Sequence, residues 1–299
     1  IMEGYHTLEI PEINQRLYVP HTLQECDSRQ YVAMCGLLYR LENEELDFNE
    51  FKRLAIYELL DLKIGNRKIE KEEVTEAFAN IEMLTGLLDS FFDISEEKTK
   101  LKLQYTKNHL EYIQPASAKY YGPKDFFMDA TFGEYEYALN VFMEYQESKN
   151  PDLLWRLLAI FYRIRKKNGQ REDYNDLTLE VNKNLFEKLP FSYASSFYYT
   201  FATFHQYFTS SQVVYEGKPI DMSIIFTDQP EDDAESYESP YPSLGLKSIA
   251  YQLSESGVFG SLRDVRETPL WEAALRMYDI RKRDLDYKAQ SKAKEKPEA

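Results

Sequence analysis

The chain has 299 residues, of which 43% are hydrophobic and 15% aromatic, and its formal net charge is −15. This length suffices for one large domain or two ordinary ones, and the hydrophobic content allows a sizeable core. The acidity argues against a nucleic-acid partner, because phosphate backbones are bound by clustered Lys and Arg side chains. We therefore expect a soluble globular protein that does not bind nucleic acid.

The start of the chain predicts a short β-hairpin or extended arm. Apolar and polar residues alternate within residues 5–20, with Pro11 and Asn14 between the two alternating runs. Glu3 and Glu9 interrupt any apolar run, so no signal peptide is expected.

After the hairpin, the sequence pattern predicts helices. Asp27 or Ser28 can cap a first helix, and Asp47 followed by Glu50 resembles a capping box that opens a second. A third helix is predicted to begin near Lys71, and Leu101–Tyr105 alternate as a short strand would. The inward positions of the third helix are predicted to be Phe78, Ile81, Leu84, Leu88 and Phe91.

Residues 120–124, which include Gly122 and Pro123, predict a boundary between two halves. Residues 1–121 would form an N-terminal helical domain with the β arm. Residues 122–299 would form a C-terminal helical domain that carries an acidic, exposed loop at 228–242 and a charged C-terminal tail that frays into solvent.

The C-terminal half begins with two well-marked helices. Thr131 and Glu134 form a capping-box pattern for the first. In the second, Asn150 is a cap and Pro151 is the first helical residue. The second helix is predicted to end near Gly169 and to collect in its last turn the basic residues Arg163, Arg165, Lys166 and Lys167.

Four further helices are predicted in this half, one of which is the aromatic helix described below. One covers about residues 177–188, one covers 244–255, and a last one begins at Thr268 and Pro269. Between them, 213–226 reads as a loop with short strands, and an aromatic helix places four phenylalanines on one face, namely Phe197, Phe201, Phe204 and Phe208.

The aromatic segment raises the question of a membrane span. Residues 189–215 carry no formal charge apart from the titratable His205, and a span takes roughly 20 apolar residues. The many Ser, Thr, Tyr and Gln side chains in this segment would be costly in hydrocarbon, so we predict a buried helix and no membrane span. Together these elements predict a mainly α fold, a bundle of about eight helices with minor strands.

No residue pattern for catalysis or cofactor binding is found. The four histidines lack a His or Cys partner at helical spacing, and Cys26 and Cys35 read as free thiols. The chain has neither a GxSxG elbow nor a Gly-rich phosphate loop, and its acidic run does not have the spacing of a calcium loop. We therefore predict no catalytic, cofactor or metal-binding residues and a protein that is not an enzyme. An enzyme whose site is assembled from distant residues remains an alternative.

A resemblance to a known family lies in residues 129–163, DATFGEYEYALNVFMEYQESKNPDLLWRLLAIFYR. This stretch resembles tail-assembly-chaperone-like proteins of Bacteroidota phages and prophages, which carry a similar TFGE motif followed by an L..L.A.LYR motif. Looser similarities lie at 186–208 and 251–270. The matching positions are Thr131, Phe132, Gly133, Glu134, Tyr145, Leu154, Leu158, Ala159, Tyr162 and Arg163.

The resemblance implies a non-catalytic protein that binds a phage tail component, the tape-measure protein, during assembly in the cytoplasm of the bacterial host. Two alternatives stay open. The chain could be a structural protein of the neck or tail that is retained in the virion, or a host helical scaffold unrelated to phage.

Overall fold

The N-terminal segment forms the predicted hairpin. In the structure, a computed structural model, strand β1 (Tyr5–Ile10) pairs antiparallel with strand β2 (Gln15–Pro20). The Tyr5 hydroxyl donates a 2.6 Å hydrogen bond to the Glu25 carbonyl, which fastens the hairpin to the body. The structure describes residues 4–10, 14–62, 71–94, 99–226 and 244–295.

Ten α-helices occur in the described residues, which are mainly helical, and this confirms the mainly α prediction. They are α1 (Ser28–Glu42), α2 (Phe48–Leu59), α3 (Lys71–Thr85), α4 (Phe132–Ser148), α5 (Asp152–Phe161), α6 (Asp176–Phe186), α7 (Ser192–Ser210), α8 (Leu246–Glu255), α9 (Leu262–Glu267) and α10 (Leu270–Glu295). Three short antiparallel pairs join them, formed by β3 (Phe92–Ile94) with β4 (Thr99–Leu101), β5 (Tyr112–Ile113) with β6 (Tyr120–Tyr121), and β7 (Gln212–Tyr215) with β8 (Lys218–Asp221).

Local caps fix where the helices begin. The Asp27 carboxylate accepts a 2.8 Å hydrogen bond from Gln30 N, and the Gln30 side chain accepts one from Asp27 N. Asp47 accepts a 2.8 Å bond from Glu50 N at the start of α2. Each cap satisfies a backbone N–H group that has no partner within the helix, so these boundaries are readable from the sequence.

Two hydrophobic cores meet at α7. The first is built by the hairpin, α1, α2 and the segment after α3, and the second by α4, α5 and α8–α10. Phe197, Phe201, Phe204 and Phe208 are buried in the second core, as the spacing predicted, whereas Tyr199 on another face of the same helix is buried in the first. Helix α7 is therefore buried on both sides and belongs to both cores.

A buried polar cluster joins α1 to α7 where the two cores meet. The Tyr31 hydroxyl lies 2.7 Å from the Tyr105 hydroxyl and 2.8 Å from Thr200 Oγ1, and it donates to the Ser196 carbonyl at 3.1 Å. The His109 ring stacks on Tyr31 at a centroid distance of 4.0 Å. Because these buried groups satisfy one another, they restrict how α1 can sit against α7.

The division at residues 121 and 122 stays a prediction. The packing of the described residues crosses this boundary in both directions. Leu110 and Ile113, which precede it, are buried in the second core, and Tyr199, which follows it, is buried in the first.

The predicted end of α5 is wrong. The helix ends at Phe161, and the basic residues after it are not in a helical turn. Arg163 instead makes an antiparallel bridge with Tyr121, with N–O distances of 2.7 and 3.2 Å, and Arg165 bridges Arg171. The extended backbone places the Arg163 side chain in a buried ion pair, which outweighs the local preference for cations at a helix end.

Other expectations also need correction. Phe78 is exposed and lies under the Arg53 guanidinium, and β4 ends at Leu101 rather than reaching Tyr105. Helix α9 was not predicted. The tail predicted to fray from Arg281 onward is helical to Glu295, and pairs one turn apart, such as Lys282–Asp286 at 2.6 Å, stabilise it. The acidic loop predicted at 228–242 lies outside the described residues.

The segment considered for a membrane span is the buried helix α7. In the part of the chain that the structure describes, no helix combines the length and the apolar character needed to cross a bilayer.

His109 predicts a dependence of stability on pH. Burial lowers its pKa from 6.5 to about 4, so the unfolded chain binds a proton below pH 6.5 that the folded chain excludes. The contribution of His109 to the free energy of unfolding should therefore be present above pH 6.5 and decrease as the pH falls. This decrease should amount to about 2 kcal/mol between pH 7 and pH 5.

Urea denaturation at several pH values, compared between the natural protein and His109→Gln, measures this effect. The variant should lose stability less steeply below pH 6.5. Parallel stability profiles for the two proteins would show that His109 does not titrate differently on folding.

Candidate functional site: a cleft above a buried ion-pair network

A cleft of about 1160 Å³ opens beside the N-terminus of α4. Its side chains come from three stretches of chain within residues 128–134, 170–177 and 262–269, together with Lys124, Tyr137 and Arg163. We call the buried residues Glu134, Arg163 and Arg171 the floor and the exposed lining residues the rim.

Glu134 is the central residue of the floor. Its carboxylate accepts a 2.8 Å hydrogen bond from Thr131 N, while the Thr131 hydroxyl accepts one from Glu134 N, so the predicted capping box is present. The same carboxylate accepts a hydrogen bond from Arg163 Nη2 and lies 3.6 Å from Arg171 Nη2. One side chain therefore begins a helix and compensates buried cations.

The two arginines of the floor are held by several acceptors. Arg171 donates to the Phe161 carbonyl at 2.7 Å, to the Asp129 carbonyl at 2.9 Å and to the Asp129 carboxylate at 3.2 Å. Arg163 also donates to the Ile160 carbonyl. Burial, together with the neighbouring Arg171 cation, lowers the pKa of Arg163. Five of the six guanidinium nitrogens of Arg163 and Arg171 thus donate to protein acceptors, so these groups have a structural role.

A second buried ion pair supports the cleft from the side of α9. The Glu136 carboxylate, which is 2% exposed, accepts hydrogen bonds from Arg266 Nε at 2.9 Å and Arg266 Nη2 at 3.0 Å. The Arg266 guanidinium also lies 5.3 Å from the centre of the Tyr137 ring. Tyr137 in turn stacks on Tyr174 at 4.9 Å. This chain of contacts positions α9 and residue 174 relative to α4.

Gly133 allows α4 and α9 to approach closely. A Cβ atom on Gly133 would lie 2.9 Å from Arg266 Cβ and 3.0 Å from the Arg266 carbonyl oxygen. A larger residue would force these two helices apart. Gly133 thus has a packing role at the edge of the cleft.

The rim differs in character from the floor. Leu177 is 84% exposed and Met128 is 60% exposed, so two large apolar side chains on the rim contact solvent. Glu172, Asp173 and Asp176 are exposed acidic neighbours of Leu177. The floor holds the protein together, and the rim is the part that is accessible to another molecule.

The chemistry of the lining residues is suited to binding. No His, Cys or Ser is among the described residues that line the cleft, and the only hydroxyl besides the two tyrosines is that of Thr131, which caps α4. Arg163 Nε is buried and has no hydrogen-bond partner among the described residues. The arrangement offers polar and apolar contacts to a ligand.

The histidines and cysteines considered from the sequence lie elsewhere. His109 is buried between the two cores, His205 Nδ1 lies 2.7 Å from the Tyr135 hydroxyl, and the His6 and His21 rings are 4.2 Å apart on the hairpin. Cys26 and Cys35 are buried free thiols, and burial raises the pKa of both. Among the described residues, no three His, Cys, Asp or Glu side chains form a cluster that could hold a metal ion.

Sequence reasoning named no site residues, and it missed the partnership of Glu134 and Arg163. The sequence indicates Glu134 as part of a helix cap and Arg163 as part of a basic run. Their distance in sequence gave no indication of contact, because ion pairs between different elements have no fixed spacing. Both positions do belong to the motif that carries the phage resemblance.

Comparisons of this chain with known proteins give no match. No protein-family model matches the chain, and comparisons with curated proteins and with solved structures also give no match.

Removal of the floor carboxylate should destabilise the protein strongly. Glu134→Ala leaves Arg163 buried without its carboxylate and removes a helix cap, and breaking a buried pair from one side costs roughly 3–5 kcal/mol. Asp286→Ala, which removes the exposed partner of Lys282, is the matched control and should cost less than about 1 kcal/mol. Equilibrium denaturation measures both free energies, and equal losses would refute the structural role of the floor.

Gly133→Ala should also destabilise, by about 1–3 kcal/mol, because the added methyl group collides with Arg266. Gly86→Ala is the control, since an added Cβ there meets no atom within 4 Å. Thermal unfolding should give a lower midpoint for the first variant only. If both variants unfold at the same temperature, α4 and α9 are not in close contact in solution.

Proposed function

We propose that this chain is a non-catalytic protein-binding protein of a phage tail-assembly module, which chaperones a tail component, the tape-measure protein, in the cytoplasm of the bacterial host. The observation that carries the proposal is the cleft, which combines a buried ion-pair floor with a rim that exposes Leu177 and Met128 among polar side chains. A site of this kind can bind another chain without chemical change to either.

The size and character of the cleft support a polypeptide ligand. Its volume of about 1160 Å³ is above the roughly 300–1,000 Å³ range of small-molecule pockets. Exposed apolar side chains beside a cleft can be buried by another protein, and both Leu177 and Met128 line this cleft.

The residues that carry the resemblance also support the proposal. Thr131, Gly133, Glu134 and Arg163 all line the cleft. The remaining matching positions include Leu154, Leu158 and Tyr162, which are fully buried and would be core residues in any helical protein. The part of the motif that is not generic packing thus lies around one cleft.

Co-expression with the tail proteins encoded beside this chain tests the proposal. The tape-measure protein should remain in the soluble fraction and co-elute with this chain in size-exclusion chromatography, and it should aggregate when expressed alone. If it is equally soluble without this chain, the chaperone function is refuted.

Mass spectrometry of purified phage particles separates the two phage hypotheses. A chaperone should be missing from the finished particle. Detection of this chain in amounts comparable to known tail proteins would refute the chaperone proposal and favour a structural protein of the neck or tail.

A further inference from the structure

The surface of α6 beside the cleft has an exposed apolar pair and a group of exposed carboxylates. Leu177 and Val181 are one helical turn apart and are 84% and 66% exposed. Residues 172–181 contain four carboxylates and no Lys or Arg, and all four are exposed. We call this apolar pair with its surrounding carboxylates, Glu172, Asp173, Asp176 and Glu180, the α6 rim.

The apolar pair gives the α6 rim the spacing of a helix-binding surface. Side chains four residues apart on a helix lie about 5–6 Å apart, which is the spacing at which apolar residues recur along one face of a partner helix. Leu179 on the same helix is 4% exposed and packs in the second core, so the two faces of α6 are clearly separated. Burial of Leu177 and Val181 by a partner would remove two large apolar groups from water.

The charge of the α6 rim favours a cationic partner, whereas the adjoining cleft, lined by five Lys or Arg and six Asp or Glu side chains, has little net charge. Asp173 pairs with Lys166 at 2.6 Å and Glu180 pairs with Arg156 at 3.7 Å, and all four of these side chains are substantially exposed to solvent. Such exposed pairs contribute little, so the carboxylates stay available to a competing cation. The net charge of −15 adds a long-range attraction for a cationic chain.

The cleft next to the α6 rim is large enough to admit part of a bound segment. Its volume of about 1160 Å³ exceeds the roughly 500 Å³ that one turn of helix with its side chains fills. A short helical segment could therefore enter the cleft while its ends stay outside it.

We propose that the α6 rim and the adjoining cleft bind a cationic amphipathic helix, with Leu177 and Val181 contacting its apolar face and the carboxylates contacting Lys or Arg residues beside that face. This inference rests on the proposed function and names the chemical class of the bound segment. A second copy of this chain, or an acidic helix, would be a different occupant.

Three synthetic peptides with a fluorescent label test the proposal by anisotropy against the full chain. The first has a Leu face flanked by Lys, the second keeps the Leu face but replaces Lys by Glu, and the third keeps Lys but replaces Leu by Ser. Only the first should bind, and its affinity should fall at least 10-fold between 50 and 500 mM NaCl because salt screens exposed charges. Equal binding of the first and second peptides would overturn the proposal.

Matched variants locate the binding surface. Leu177→Ser with Val181→Ser should weaken binding of the first peptide at least 10-fold, whereas Val214→Ser, at a position 76% exposed on β7, should not change it.

Glu172→Gln with Asp173→Asn should weaken binding of the same peptide about 3- to 10-fold in low salt. Glu144→Gln with Glu147→Gln, which removes two exposed charges from α4, should leave binding unchanged. Equal effects of test and control variants would overturn the proposal.

Two further results distinguish this proposal from the proposed function. A tape-measure complex that survives Leu177→Ser with Val181→Ser unchanged would overturn the α6 rim as the binding surface and leave the chaperone function standing. Peptide binding at the α6 rim without any tape-measure complex would overturn the proposed function and leave the binding surface standing.

Sedimentation equilibrium tests a second copy of this chain as the occupant. A dimer that is broken by Leu177→Ser with Val181→Ser would identify a second copy as the occupant and overturn the proposal.

Discussion

The carboxylate of Glu134 is bound by three parts of the chain at once. It accepts a hydrogen bond from Thr131 N, another from Arg163 Nη2, and it lies within ion-pair distance of Arg171. A charge that is 2% exposed is stable only when its partners are in place. The start of α4, the end of α5 and the turn that leads to Arg171 are therefore positioned together at the floor of the cleft.

The second constraint on the fold is that α7 is buried on both sides. Its phenylalanines complete the second core and Tyr199 contributes to the first, so neither core can exclude water without this helix. The hydrogen bonds from Tyr31 to Thr200 and Ser196 then fix the orientation of α1 on α7. We expect the two cores to unfold together, because loss of α7 exposes apolar surface in both.

The floor and the rim of the cleft differ in burial and in how fully their polar groups are paired. Five of the six guanidinium nitrogens of Arg163 and Arg171 donate to protein acceptors. The exposed rim has apolar side chains that no other described residue covers, and it has carboxylates in weak surface pairs. The proposed binding surface is thus separate from the buried residues that hold the fold together.

Much of the fold could be predicted because its determinants are local. Alternation over residues 5–20, caps at Asp27, Asp47 and Thr131, and the phenylalanine spacing of α7 each depend on neighbours within a few residues. The sequence alone therefore determined the helical class, the hairpin and most helix starts. It also determined which face of α7 is apolar, but not that the other face is buried as well.

The cleft and its network depend on contacts between residues far apart in the chain. The run at 163–167 has the composition of a helix end, yet the pairing of Arg163 with Glu134 and with Tyr121 makes it extended. The sequence around Gly133 does not indicate why a glycine is needed there, because the residue that it packs against, Arg266, is far away in the chain. Propensity differences of a few tenths of a kcal/mol decide local structure only when no buried charge or close contact is at stake. Three-dimensional packing decided these positions because an unpaired buried charge costs several times more.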